Sequence, residues 1–192
     1  MRSLIWCLLL WCCTGCQHTQ NLSQSCVTLT AGVDYCLTPL PWQQGRAAQP
    51  DDMAQQVRFS QHQQTRELLL QLQFSPDSEL MVGLAPLGQP LFTLHYDGHT
   101  LASQHSGFMA GTFRGDYLLA VQQLIYWPAA MVQQGLASAT VKDFRCGMQH
   151  CREIRRGDAL IARIHYAETP GWQSPVTLEL PQAAVQLSIT PM

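Results

Sequence analysis

Residues 57–102 carry the clearest structural pattern of the chain and read VRFSQHQQTRELLLQLQFSPDSELMVGLAPLGQPLFTLHYDGHTLA. Apolar and polar residues alternate in several short runs, and a period of two is typical of strands buried on one face. Ser75-Pro76-Asp77-Ser78 predicts a turn, and Asp97-Gly98 is a strong hairpin signal. The stretch therefore predicts four antiparallel strands joined by short turns.

The second half of the chain predicts helices and then more strands. Leu118, Val121 and Leu124 have helical spacing within Tyr117–Trp127, and Asp116 is expected to cap the helix N-terminus. Pro128 ends or kinks this helix before a second short one. Five short strand-like segments follow, at 141–146, 151–155, 159–166, 176–180 and 185–189. The order of strands, helices and strands predicts an α+β fold in which one curved antiparallel sheet is covered by short helices.

Composition narrows the class of partner. The 192 residues include 11 basic and 13 acidic side chains, and the net charge of −2 without a basic tail argues against a nucleic-acid partner. Charged residues make up 12% of the chain, against roughly 25% in typical domains. Glutamine is abundant instead, with 23 residues. We interpret this weakly charged surface as suited to a protein held close to a membrane.

The N-terminus predicts a lipoprotein. Arg2 precedes an apolar run, Leu4–Cys13, that is too short to span a hydrocarbon core of ~30 Å, so it is interpreted as a signal peptide. Cys13-Thr14-Gly15-Cys16 resembles the bacterial lipobox, although Cys13 replaces the usual aliphatic residue, and an ordinary secretory signal is the alternative. The resemblance implies lipidation of Cys16, and Gln17 after it implies sorting to the outer membrane, facing the periplasm. The expected organisation is a signal peptide at 1–15, a lipidated tether and irregular segment at 16–52, and a single domain at 53–192.

The remaining cysteines suit an oxidising compartment. Apart from the signal and Cys16, they are Cys26, Cys36, Cys146 and Cys151, which allow three pairings of two disulfides. We favour Cys26 with Cys36 and Cys146 with Cys151, because each pair brackets a short, turn-rich stretch. A metal site at Cys146, His150 and Cys151 is disfavoured, since the CxxC spacing is missing. No metal and no cofactor are expected.

The chain resembles a known family in the order of its elements. Several features of this chain resemble the outer-membrane lipoprotein receptor LolB and its periplasmic relative LolA. They are the lipobox, the strand region Gln56–Gln73, the strand before Pro86-Leu87-Gly88, the Asp97-Gly98 hairpin and the helical region interrupted by Pro128. A closer resemblance is to uncharacterised lipoproteins encoded beside aryl-polyene and related lipid biosynthesis genes. It rests on Gly115-Asp116-Tyr117-Leu118-Leu119-Ala120 and Leu124-Ile125-Tyr126-Trp127-Pro128.

The resemblance implies a half-open barrel that is closed by helices and encloses a cavity for acyl chains. It also implies a non-catalytic receptor or carrier of acylated lipid or lipoprotein cargo, with a periplasmic carrier protein as a possible partner. In the LolB family the Leu of the Pro-Leu-Gly loop protrudes and helps to deliver cargo to the membrane, which implies this role for Leu87, between Pro86 and Gly88. A turn residue folded onto its own sheet is the alternative.

The cavity residues follow from the apolar pattern of the strands and the helix. Those that could line it are Leu80, Val82, Leu84, Leu91, Phe92, Leu94, Leu118, Leu124, Tyr126 and Trp127. Ordinary core packing is the alternative for each of them. A contiguous apolar cavity would favour lipid carriage, whereas a filled interior would favour a structural or assembly lipoprotein that recruits a partner through a sheet edge.

Enzymatic signatures are missing from the sequence. It contains no GxSxG, P-loop, HExxH or dinucleotide motif, so we do not expect an enzyme. His95, His99 and His105 surround Asp97 and keep a small periplasmic hydrolase as a further alternative. Arg152, Arg155 and Arg156 are the basic cluster of the chain and could contact anionic headgroups, although a solvated hairpin is the simpler interpretation.

Overall fold

The computed structural model describes residues 22–23, 25–62, 64–107 and 113–192. The expected signal peptide and the lipidation site Cys16 lie outside these residues. Within the described part of the chain, neither helix has the length and apolar character needed to cross a membrane.

The strands account for most of the fold. In chain order they are β1 (Leu22–Ser23), β2 (Cys26–Thr30), β3 (Val33–Cys36), β4 (Met53–Gln61), β5 (Gln64–Phe74), β6 (Glu79–Leu84), β7 (Pro90–Tyr96), β8 (Thr100–His105), β9 (Leu136–Ala137), β10 (Thr140–Cys146), β11 (Gln149–Arg156), β12 (Ala159–Tyr166), β13 (Val176–Leu180) and β14 (Val185–Pro191). Two helices, α1 (Gly115–Tyr126) and α2 (Ala129–Gly135), separate β8 from β9, and a short 3₁₀ helix (Pro181–Ala183) precedes β14.

Eleven strands form one antiparallel sheet, in the order β1-β8-β7-β6-β5-β4-β14-β13-β12-β11-β10. The C-terminal strand β14 pairs with β4, which joins the two halves of the sheet. Strands β1 and β10 are its edges, so the described strands do not close into a barrel. Strands β2, β3 and β9 form a smaller sheet. The predicted α+β fold, an open antiparallel sheet covered by short helices, is confirmed.

The N-terminus of α1 differs from the prediction. Arg114 occupies the N-cap position, so the prediction that Asp116 caps the helix is wrong. Asp116 lies in the first turn, where its carboxylate accepts a hydrogen bond from the amide of Tyr117 (2.8 Å) and pairs with Arg114 (2.8 Å). A carboxylate at this end still interacts favourably with the helix dipole.

Helix α1 is buried between the two sheets, because the segment before β4 folds over it. This segment was expected to be irregular, but residues 26–36 form the β2–β3 hairpin, which buries Val27, Val33 and Tyr35. The buried Gln123 of α1 accepts hydrogen bonds from the hydroxyl of Tyr35 (3.0 Å) and the amide of Thr38 (2.9 Å). The hairpin is therefore part of the core.

The C-terminus of α1 is held by Arg152 of β11. This side chain is 4% exposed, and its Nη1 donates to the carbonyls of Leu124 (2.9 Å) and Trp127 (2.8 Å). Its Nε donates to Asp143 (2.6 Å). The Tyr166 hydroxyl donates to the Ile125 carbonyl (2.6 Å). A cation at this end satisfies carbonyls that have no partner within the helix.

The predicted exposed basic cluster is therefore wrong for Arg152, which faces the interior. Its neighbours are used differently: Arg155 pairs with Glu153 (2.7 Å), and Arg156 donates to the carbonyl of Ala31 (2.8 Å). Because Arg152 is buried, these three arginines do not share one surface for anionic headgroups.

Candidate functional site

An apolar pocket lies between α1 and the larger sheet. Its volume is about 340 Å³, including space that opens to solvent. The helix contributes Leu118, Val121 and Ile125, and the neighbouring strands β14, β4, β5 and β6 contribute the opposite wall. The apolar residues of that wall are Val57, Leu70, Leu72, Met81, Leu187 and Ile189. Alternate residues of these strands share one face, which explains the wall's apolar character.

Few polar side chains line this pocket. Gln55 of β4 donates to the Tyr126 hydroxyl (3.1 Å), and burial raises the pKa of Tyr126 above its usual range. The Tyr126 ring stacks on Trp172, with 4.0 Å between the ring centroids. Gln122 of α1 also lines the pocket. The polar atoms of these residues are turned away from the pocket or bonded within the protein, so the pocket surface is almost entirely apolar.

Gln122 joins the pocket to a buried carboxyl group. Its side-chain amide donates a hydrogen bond to Oε1 of Glu79, which is 2% exposed at the start of β6. Burial raises the pKa of Glu79 to about 7, although the bond from Gln122 acts in the opposite direction. Oε2 of Glu79 and Oε1 of Gln122 are also buried, and neither has a hydrogen-bond partner among the described residues.

The residues that were predicted to line the cavity lie in different parts of the structure. Leu118 and Tyr126 line the pocket. Leu124 and Trp127 are buried outside it, and the Trp127 indole donates to the Pro39 carbonyl (3.0 Å). On β7, Phe92 and Leu94 are buried on the inner face without lining the pocket, whereas Leu91 is half-buried.

The predicted face of β6 is wrong. Leu80, Val82 and Leu84 are half-buried on the outer face, whereas Glu79, Met81 and Gly83 are buried on the inner face. Gly83 leaves room for the ring of Phe92 on the adjacent strand, since a Cβ at this position would collide with that ring. Because only glycine fits against the Phe92 ring, the face of β6 that contains Gly83 lies inward, and the face with Leu80, Val82 and Leu84 lies outward.

The β6–β7 turn presents Leu87 to solvent. Leu87 is 90% exposed. The turn is closed by hydrogen bonds from the Ala85 amide to the Gln89 carbonyl and from the Gly88 amide to the Ala85 carbonyl, both 2.8 Å long. Gly88, after Pro86 and Leu87, has a φ of 82°, a conformation that favours glycine. The role of Leu87 in membrane contact stays a prediction.

The histidine-rich hairpin uses its carboxylate to build a turn. Asp97 accepts hydrogen bonds from the amides of His99 (2.8 Å) and Thr100 (2.6 Å). Partial burial favours a higher pKa for Asp97, but these amides outweigh it and keep the pKa below its usual value. His105 contacts the carbonyl of Ser106 through Nδ1 (3.1 Å). Both observations fit a structural role for these groups.

Both predicted disulfides are confirmed, Cys26–Cys36 and Cys146–Cys151. The histidine beside the second one is His165, whose Nδ1 lies 3.1 Å from Sγ of Cys151. His150 contacts the guanidinium of Arg145 (3.0 Å) instead. Because both sulfurs are bonded to each other, this cluster offers no thiolate to a metal ion.

Comparison with protein families gives one match. Residues 52–192 match DUF3261, a family described as a protein of unknown function. The match begins one residue before β4, so the β2–β3 hairpin precedes the matched region. No curated protein matches the chain. The pocket residues on β4, β5, β6, α1 and β14 all lie inside the matched region.

Proposed function

This chain belongs to the DUF3261 family, and we propose that it binds the hydrocarbon part of an acylated lipid between α1 and the larger sheet, without converting it chemically. The single observation that carries the proposal is the apolar pocket, walled by Leu70, Met81 and Leu118 among others. Burying methylene groups there would gain roughly 0.8 kcal/mol for each group.

The dimensions of the pocket favour a narrow ligand. The 340 Å³ of empty space includes space open to solvent, and only about 20 Å³ of it admits the centre of a water molecule, so α1 and the larger sheet are closely packed in this structure. A bound chain would therefore require the helix and the sheet to separate, and a single flexible chain requires less separation than a bulky ring system.

Additional room would come from the N-terminal half of α1. The C-terminal half is held by Arg152, Tyr166 and Trp127. At the other end, the Arg114–Asp116 pair lies at the surface, and the Arg114 side chain is 60% exposed. A surface ion pair contributes little stability, about 0–1 kcal/mol. Both residues lie at the start of α1, so their pair does not attach the helix to the sheet, and opening this end would break the packing of Gly115 against Leu94 and Ser103.

Membrane attachment completes the proposal. Lipidation of Cys16 would hold the domain at the outer membrane, and the exposed Leu87 would contact the membrane or the cargo. The cargo would arrive on a periplasmic carrier protein. A structural lipoprotein that recruits partners through a sheet edge is a less suitable interpretation, because the edge strand β10 carries Lys142, Asp143 and Arg145. Charged side chains on an edge strand oppose further strand pairing.

The test is native mass spectrometry of protein purified without detergent. Wild-type protein is expected to carry co-purified lipid. Leu118→Trp fills the pocket at a half-buried position and should remove that lipid, whereas Leu80→Trp, on the outer face of β6, should retain it. Loss of lipid from neither variant would place the ligand elsewhere. Wild-type protein that carries no lipid and binds no added fluorescent fatty acid would overturn the proposal.

A further inference from the structure

We propose that Glu79 and Gln122 form a recognition point for a hydrogen-bond donor on the ligand, so that the pocket selects acyl or alkyl chains that bear a hydroxyl or a protonated carboxyl group. The inference rests on the proposed function and names the chemical class of the ligand's polar end. It is carried by two acceptor oxygens, Oε2 of Glu79 and Oε1 of Gln122, which are buried and accept no hydrogen bond from the described residues.

Geometry connects these oxygens to the ligand. Gln122 lines the pocket and donates its amide to Glu79, while Glu79 shares the inner face of β6 with Met81, another lining residue. Glu79 is 2% exposed and Gln122 6% exposed. A chain that fills the pocket would therefore bring a polar end group at Gln122 out of bulk water.

The nearby protein donors are already committed. The Tyr96 hydroxyl, on the strand paired with Glu79, donates to the Thr38 carbonyl (2.9 Å). The Tyr35 hydroxyl donates to Gln123 (3.0 Å). Below about pH 7 the protonated carboxyl group of Glu79 can itself donate to Gln122, whereas the ionised carboxylate leaves both oxygens to a donor on a bound molecule.

The adjacent glutamine provides an internal comparison. Gln123 also lies in α1 and is fully buried, yet its carbonyl accepts from Tyr35 and Thr38, and its amide donates to the Thr38 carbonyl (3.0 Å). Gln123 is thus used to attach the β2–β3 hairpin to the helix. Gln122, which lines the pocket, has its amide engaged, and its buried carbonyl oxygen accepts no hydrogen bond from the described residues.

The ligand preference follows from hydrogen-bond chemistry. A hydroxyl or a protonated carboxyl group donates to either acceptor, whereas an ether or ester oxygen offers no proton. An ether oxygen against these acceptors would leave them unsatisfied and would lose its own hydration. A ligand with a donor group therefore replaces hydrogen bonds to water that are lost on burial, whereas a ligand with acceptors only does not.

The experiment compares a long-chain alcohol with its methyl ether, which has the same chain and lacks the donor. Both compete with a fluorescent fatty acid for the full chain. Wild-type protein is expected to bind the alcohol about ten-fold more tightly, which corresponds to about 1.4 kcal/mol. Gln122→Met and Glu79→Gln should reduce this ratio toward one, whereas Leu80→Met, on the outer face, should leave it unchanged.

The outcomes separate the two proposals. Equal affinity of wild-type protein for the alcohol and the ether would overturn the recognition point and leave lipid binding standing. Binding of neither ligand, nor of the fluorescent fatty acid, would overturn both. The comparison within wild-type protein is decisive even if a variant fails to fold, because it needs no substitution.

Discussion

Glutamine in place of Glu79 should stabilise the protein at and above neutral pH. Burial raises the pKa of Glu79 from 4.5 to about 7, so the folded protein holds this proton more tightly than the unfolded chain. The contribution of Glu79 to the free energy of unfolding is therefore highest below about pH 4.5, falls as the pH rises to about 7, and is constant above that pH. The glutamine variant has no proton to lose and should lack this decline.

The magnitude follows from the difference between the two pKa values. A shift from 4.5 to about 7 is about 2.5 units, which at about 1.4 kcal/mol per unit corresponds to about 3 kcal/mol. We compare the free energy of unfolding of the variant with that of wild-type protein at two pH values. The difference should be up to about 3 kcal/mol more in favour of the variant at pH 8 than at pH 4.5. Asp116 and Glu153, whose pKa values lie below the usual range, lose stabilising interactions only at more acidic pH.

Urea-induced unfolding, followed by tryptophan fluorescence without reductant, measures this difference across the pH range. Glu67→Gln is the matched control, because Glu67 is a partly exposed carboxylate paired with Arg58 at the surface. Its effect should stay below about 1 kcal/mol at every pH. A difference between Glu79→Gln and wild-type protein that does not change between acidic and alkaline pH would refute the reasoning.

Three further changes test the packing and the membrane contact. Arg152→Met should lower the free energy of unfolding by about 3 kcal/mol in urea, because it leaves carbonyls at the end of α1 without partners; an effect below about 1 kcal/mol would contradict this role. Replacing Cys26 and Cys36 with alanine should cost about 2–3 kcal/mol, since the bond closes the hairpin that covers α1; unchanged thermal unfolding would argue against it. Leu87→Glu should change stability by less than about 0.5 kcal/mol but weaken flotation with lipid vesicles, because Leu87 is exposed; equal flotation would exclude a membrane role.

The meander could be predicted from the sequence because its signals are local. Alternation at Leu68, Leu70 and Leu72 predicts β5, and Asp97-Gly98 predicts the turn between β7 and β8. Each signal depends on neighbours a few residues apart. The two disulfides were predictable for the same reason, since each closes a short hairpin.

Features that depend on distant residues were missed. Strand β6 has apolar residues on both faces, so its pattern does not specify which face lies inward, and Gly83 is fixed there by Phe92 of β7. The role of Arg152 depends on helix carbonyls about 25 residues earlier in the chain. One local feature was missed as well: three prolines after β3 and a glutamine-rich composition predicted an irregular segment, although the alternation in Val27–Tyr35 is a usable signal for the two strands that Cys26–Cys36 joins.

The residues predicted to line an apolar cavity lie only partly at the observed pocket. An apolar space beneath a helix follows from the fold class, and Leu118 and Tyr126 belong to it. The Glu79–Gln122 pair was missed, since a glutamate beside a turn is usually solvated. In the folded protein Glu79 is buried and bonded to Gln122 of α1, a residue 43 positions later in the chain.

Photo-crosslinking of a bound fatty acid tests the central claim most directly. A fatty acid with a diazirine near the end of its chain is bound to the wild-type protein, irradiated and mapped by tandem mass spectrometry. If the chain lies between α1 and the larger sheet, the crosslinks will fall on α1 and on the inner faces of β4, β5, β6 and β14. Crosslinks confined to the outer face of β6 or to the Leu87 turn would contradict the account.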